Sequence, residues 1–298
     1  MSTLFNRIGD YLLEKALASE CKRAGLVSAS AQLSFGHIEY LQSKNEPEHS
    51  SEAIVMLHGA AADKTSWIRF ARYFGSKFPL VIPDLPGHGK SIVGINLDYS
   101  INAQAERLKE LLTTLGIKRV HLIGNSMGGA IAIHLASTSP NLVSSLVLID
   151  TAGIEASPSW LRQYVEHTGI NPMIELHDAS DYRTMMRIGM GAPPYIPGII
   201  LAALARDFVK RKTINQKIAK DIEQDLDQTG NLSKIIVPTL IIWGAADKVF
   251  HVDNAELLHQ RLTNSRKIVM EGIGHVPMVE APKQVAVACS SFFADMAP

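Results

Sequence analysis

The chain predicts an α/β fold: a mostly parallel central sheet, helices on both faces, and a helical cap inserted between two strands. Three observations carry that reading. Short buried-strand runs at Ala53–Leu57, Leu80–Ile82, Arg119–Ile123 and Leu142–Ile149 alternate with helix-forming stretches, the rhythm of a parallel sheet covered on both sides. Residues 154–230 then hold helix-like stretches without a strand, and the strand pattern resumes at Val237–Gly244. Between the third and fourth runs, Gly124-Asn125-Ser126-Met127-Gly128-Gly129 sits where a strand gives way to the helical stretch Ala130–Ala136.

Composition bounds the rest. With 298 residues, 46% hydrophobic and 19% charged, the chain has enough apolar material for a well-buried core and is unlike a disordered polymer. The net charge is zero and the pI about 7.2, so nothing global favours nucleic acid. Cys21 and Cys289 are far apart and lack metal-ligand spacing. A disulfide framework and a zinc site are therefore not expected. No secretory pattern opens the chain and no run of ~18 apolar residues occurs. These features lead to the expectation of a cytoplasmic protein with, at most, peripheral contact to a lipid interface.

In order, residues 4–24 read as an amphipathic helix, with Leu4, Phe5, Ile8, Leu12, Ala16 and Leu17 at helical spacing. A helix packed on the domain and an interfacial helix touching lipid both fit that pattern. Gln32–Leu41 alternates like a half-exposed strand, and residues 42–52 read as a polar surface loop. A helix follows around Trp67–Phe74. Another spans residues 100–115, opened by Ser100 and ended at Gly116. Arg266–Met270 gives the last strand and Lys283–Met296 the last helix. The expected organisation is an N-terminal helical segment over residues 1–30, a core over 31–153 and 231–298, and a cap over 154–230.

The hexapeptide has the G-x-S-x-G form of a nucleophile elbow, which holds a serine in a strained strand-to-helix turn. Such a serine needs a base, and the base needs a group to orient it. Downstream of Ser126 the acid candidate is Asp247, just past a strand end, and the base candidate is His275, in the loop after the last strand. Both fall at the carboxyl edge of the sheet, where ligands bind in open α/β folds. Asp150, also at a strand end, is the rival acid. His88, His121, His134, His251 and His259 fit the base role less well by their positions. Oxyanion donors are expected at the backbone N–H of Met127, at a helix N-terminus, and of Ala60, in the small-residue loop after the strand ending at Leu57. Gly89-Lys90-Ser91 imitates the end of a phosphate loop, but position 84, where the first glycine would stand, is Asp.

Leu57-His58-Gly59, Asp84-Leu85-Pro86-Gly87-His88-Gly89-Lys90-Ser91, the elbow, Trp243-Gly244-Ala245-Ala246-Asp247 and Gly274-His275 together resemble the α/β-hydrolase superfamily. The resemblance runs from about residue 32 to the C-terminus. It is closest to the monoacylglycerol lipase and lipase/esterase branch, and it implies Ser126 as nucleophile, Asp247 as orienter, His275 as base, and Ala60 with Met127 as oxyanion donors. It implies an acyl ester as the small-molecule substrate and no cofactor.

The cap carries Met173, Met185, Met186, Met190 and the apolar run Tyr195–Leu204, followed by Arg206, Lys210, Arg211, Lys212, Lys217 and Lys220. Methionines suit irregular apolar ligands, so Met186, Met190, Ile199 and Ile200 are expected to line an acyl site under a mobile cap. The basic run could rest on anionic lipid or form a solvated face. Hydrolysis of a C–C bond, a thioester or a lysophospholipid is the alternative on the same triad. A small-ligand-binding protein without turnover is the alternative of another class.

Overall fold

A computed structural model describes residues 3–44, 51–74 and 79–296. Eight strands form one sheet in the order β1-β2-β4-β3-β5-β6-β7-β8. They are β1 (Leu26–Leu33), β2 (Gly36–Ser43), β3 (Glu52–Leu57), β4 (Leu80–Pro83), β5 (Arg119–Asn125), β6 (Val143–Ile149), β7 (Thr239–Gly244) and β8 (Ser265–Met270). The β1/β2 and β2/β4 pairs are antiparallel, and every pair from β4 to β8 is parallel. The helices are α1 (Thr3–Arg23), α2 (Ile68–Tyr73), α3 (Ile101–Thr114), α4 (Met127–Thr138), α5 (Trp160–Thr168), α6 (Ala179–Gly189), α7 (Gly198–Lys210), α8 (Lys212–Ile222), α9 (Asp253–Arg261), α10 (Pro277–Glu280) and α11 (Pro282–Ala294).

The alternation predicted from sequence is what builds the two cores. Val55, Leu57, Val120 and Leu122 bury one face of the sheet against α3 and α4, while Ile54, Met56, Ile123 and Val147 bury the other against α2 and α11. Successive residues of β3 and β5 thus serve opposite faces, as a pleated strand requires. The helix read over 100–115 is α3. Its Ser100 hydroxyl accepts from the Ala103 N–H at 3.3 Å, and Gly116 follows at φ 71°.

One reading changes. The single strand expected over Gln32–Leu41 is a hairpin: β1 ends at Leu33, Ser34 and Phe35 form the turn, and β2 begins at Gly36. The Glu110 carboxylate on α3 fixes that turn by accepting from the Ser34 N–H at 2.6 Å and hydroxyl at 2.8 Å, a partner too distant in sequence for an alternation pattern to register. The sheet therefore starts at Leu26, inside the segment assigned to the N-terminal helix. Most of the loop read over 42–52 lies outside the described residues.

Helix α1 is present as expected, and it docks through only part of its apolar stripe: Leu17 packs with Cys21 against the core on the α2 and α11 side of the sheet. Leu4 is 67% exposed, and Phe5, Ile8, Tyr11 and Leu12 are exposed beside it. The helix instead approaches α7 through Gly9, where a Cβ would lie 2.9 Å from the Ile199 carbonyl oxygen. Arg206 clasps it there, pairing with Asp10 and donating to the Asn6 carbonyl at 3.2 Å. Glycine permits that close approach, and the N-terminal part of the stripe, from Leu4 to Leu12, is left exposed.

Candidate active site

The elbow is built as the hexapeptide requires. Strand β5 lies between β3 and β6, and its last residue, Asn125, leads into Ser126 at φ 54° and ψ −122°. A non-glycine residue with positive φ carries backbone strain that persists only where the surroundings over-determine it. Here they do so by close approach. A Cβ on Gly128 would fall 2.2 Å from the Leu57 carbonyl oxygen, and one on Gly124 would fall 2.4 Å from the Gly128 carbonyl oxygen. The Ser126 carbonyl accepts the Gly129 and Ala130 N–H groups at 2.9 and 3.2 Å, so α4 starts directly beneath the serine. The N–H of Met127 therefore stands in the first turn, where the helix dipole favours negative charge.

The other expected residues meet at the same edge. His275, 6% exposed, shares a hydrogen bond between its Nδ1 and Asp247 Oδ2 at 2.9 Å. Asp247 is held in turn by the Val249 and Phe250 N–H groups, which donate to its Oδ1 at 2.7 and 3.1 Å. With Nδ1 turned to the carboxylate, Nε2 is the nitrogen left for a serine proton. The Phe250 ring stands edge-on to the imidazole at 5.3 Å. Among the described residues no hydrogen bond joins Ser126 to His275. Such bonds are often long in free enzymes and tighten with substrate bound. The loop after β3 reaches the serine directly: a Cβ on Gly59 would lie 3.0 Å from the Ser126 Cβ, and Ala60, the next residue, is exposed.

Asp150 is fully buried next to Asp247, with one polar side-chain atom each of Asp150, Asp247 and His275 within 4.8 Å of one another. His251 precedes α9, and its Nδ1 accepts the Asp253 N–H at 3.3 Å. His121, in β5, bonds Ser145 at 2.8 Å. In the inserted helices, Met186 is buried, and Met190 packs beside the His275 loop, its Cα 2.8 Å from where a Gly274 Cβ would be. The Gly189 carbonyl accepts the His275 N–H at 2.8 Å. Ile199 packs on Gly9 of α1, and Ile200, next to it on α7, is half-buried. The basic run is partly spent within the chain. Arg206 pairs with Asp10, Arg211 donates to the Gly87 and Gly89 carbonyls, and Lys217 donates to Asp221 at 2.6 Å.

Sequence reasoning passed over several supports. The Asn125 side chain donates to the Ile149 carbonyl at 3.1 Å and to the His275 carbonyl at 3.0 Å, tying the turn before Ser126, the β6 end and the His275 loop together. Glu280 accepts the Gly274 N–H at 3.0 Å and the Ala192 N–H at 2.8 Å, fastening the His275 loop to the inserted helices. The loop that imitates a phosphate site is already filled by its own carboxylate. Asp84 accepts the Lys64 and Lys90 N–H groups at 2.9 and 2.8 Å, pairs with the Lys64 ammonium, and leaves no room for a Cβ on Gly89.

His58 ties that loop to the one carrying Ala60. Its Nε2 accepts the Leu85 N–H at 3.0 Å, so Nδ1 must carry the proton, donated to the Gly59 carbonyl at 2.8 Å. His88 stands edge-on to it at 4.9 Å. Burial pushes His58 down to about 4, and burial together with His58 pushes His88 down to about 3. Both rings are neutral in the folded protein, whereas exposed imidazoles take up protons below about 6.5. Lowered folded values mean that the unfolded chain gains protons first as pH falls, so stability declines from about pH 6.5 toward 4 at ~1.4 kcal/mol per displaced unit. Urea unfolding at several pH values should show this decline, and His88→Gln should flatten it. Equal slopes in the two proteins would contradict the assignment.

The model of the alpha/beta hydrolase fold family matches residues 52–282. The chain belongs to the α/β-hydrolase fold family. Within that family it is 32% identical over 291 residues to Lipase 3 of Moraxella sp. (strain TA144), covering 96% of this chain and 90% of that one. It is 29% identical over 275 residues to monoacylglycerol lipase abhd6-B of Xenopus laevis, covering 88% and 81%. Among solved structures, a membrane phospholipase A described as a bacterial virulence factor superposes with a TM-score of 0.91 at 33% identity, over 97% of this chain and 92% of that one. This α/β hydrolase is an ester hydrolase of the lipase/esterase type.

Proposed function

We propose that the chain hydrolyses monoacylglycerols or similar single-chain acyl esters through a Ser126–His275–Asp247 triad. The observation that carries this reading is the strained Ser126 backbone at the same sheet edge as a buried imidazole bonded to Asp247 at 2.9 Å. In this mechanism the Ser126 hydroxyl attacks the ester carbonyl while His275 Nε2 takes its proton. The N–H groups of Ala60 and Met127 receive the oxyanion. His275 then protonates the departing alcohol, and water, activated by the same ring, releases the acid from the acyl-enzyme.

Residues 154–230 act as the cap in this reading, with Met186 and Met190 toward the acyl chain. The exposed stripe Leu4, Phe5, Ile8, Tyr11 and Leu12 on α1 supports peripheral contact with a lipid interface. No described helix is long and apolar enough to cross a membrane.

A second reading, lysophospholipid hydrolysis, is supported by the likeness to the membrane phospholipase A. A panel of mono-, di- and triacylglycerols, lysophospholipids and aryl esters of graded acyl length separates the two. Preference for long over acetyl esters should be at least about tenfold, since each buried methylene adds binding. Equal rates across acyl lengths would remove the acyl site, and turnover of triacylglycerols alone would contradict the monoacylglycerol assignment.

A further inference from the structure

Asp150 follows β6 at φ 41° and is fully buried. Its Oδ1 accepts the Gly244 N–H at 2.8 Å. Its Oδ2 is buried with no conventional donor reaching it among the described residues. What it does face is another carboxylate, Asp247, itself bonded to His275. Two carboxylates this close in a dry site do not both ionise. The proton has one sensible home. Asp247 already accepts from Val249, Phe250 and His275, which favours its charged form, whereas Asp150 accepts a single backbone N–H.

We propose that Asp150 is a positioning residue: it keeps a proton on Oδ2 and donates it in a hydrogen bond to Asp247, fixing the carboxylate that orients His275. The inference rests on the triad reading and adds a fourth member to it. No bond is made or broken at Asp150 during turnover; the proton stays where it is. Burial and the neighbouring Asp247 charge push the Asp150 carboxyl well above the ordinary carboxylate range, with Glu280 acting in the same direction and the Gly244 N–H against it. The bond satisfies the otherwise orphaned oxygen, and it spreads the Asp247 charge without adding a second anion beside the imidazole. A lone carboxylate–histidine pair would leave Asp247 free to turn; here three donors besides His275 hold it.

The test uses Asp150→Asn and Asp150→Ala in the full chain. An amide can accept from Gly244 and donate to Asp247, so D150N should keep kcat within about threefold and leave the acid limb of kcat/KM in place. D150A removes both bonds and should lower kcat by about tenfold to a hundredfold, the scale of a small misplacement of a catalytic group, with KM unchanged. Infrared difference spectra of protein carrying carbon-13 aspartate should show a protonated carboxyl stretch near neutral pH that D150N lacks. Absence of that band, or a move of the D150N acid limb to lower pH by about one unit, would mean that Asp150 is ionised and would overturn the proposal. An unaltered kcat in D150A would overturn the positioning role. The spectrum is independent of turnover, so a persisting band with activity retained in Ser126→Ala would reject the triad and not the protonation.

Discussion

Ser126→Ala is expected to cut kcat/KM for an aryl or monoacylglycerol ester by roughly 10⁴- to 10⁶-fold while leaving the fold intact. The substitution removes a single oxygen from a half-buried side chain, so little packing is lost. The turn itself is determined by Gly124, Gly128 and the Leu57 carbonyl, none of which is touched. What disappears is the only atom placed to form an acyl-enzyme in the proposed mechanism. The residual rate should be that of the oxyanion donors and binding alone, about 10³–10⁴ over water. Circular dichroism and thermal unfolding of the variant should match the parent. Retention of more than about a tenth of the activity would place the chemistry elsewhere.

Asp247→Asn should cost about 10⁴-fold in kcat, and for a different physical reason. An asparagine fits the same space, and its carbonyl can still accept the Val249 and Phe250 N–H groups that hold the turn. Its amide, however, presents a donor to His275 Nδ1, which now bonds the carboxylate at 2.9 Å. The imidazole is driven to the tautomer with its proton on Nε2, where it cannot take one from Ser126, and the developing imidazolium loses its counter-charge. Stability should hardly change, so unfolding midpoint and kcat should separate. A loss below about tenfold, with Asp150→Asn costing far more, would transfer the acid role to Asp150.

Much of the site was legible because each member sits at a strand end in a local motif. Ser126, Asp247 and His275 could be assigned to one sheet edge from element order, and the structure brings Asp247 and His275 into contact there. The supports were not legible, since their partners are backbone groups remote in sequence. Asn125 reads as the variable residue of the elbow, and only the fold delivers the His275 carbonyl, 150 positions away, to its amide. Asp150 could be read as an alternative acid, but its neutrality follows from a neighbour brought by β7. The hairpin at Ser34 was hidden in the same way, its turn stabilised from α3. For α1, periodicity located the helix correctly, but not that Leu17 would reach the core while Leu4, Ile8 and Leu12 stay exposed beside the close approach of Gly9 to α7.

Turnover by the proposed route requires that Ser126 be acylated. Stoichiometric labelling with a long-chain alkyl fluorophosphonate, followed by peptide mass spectrometry, tests it without reference to the natural substrate. One adduct per chain on Ser126 is predicted, abolished in Ser126→Ala and strongly slowed in His275→Ala. An adduct on another residue, or continued ester hydrolysis by protein fully labelled at Ser126, would contradict it.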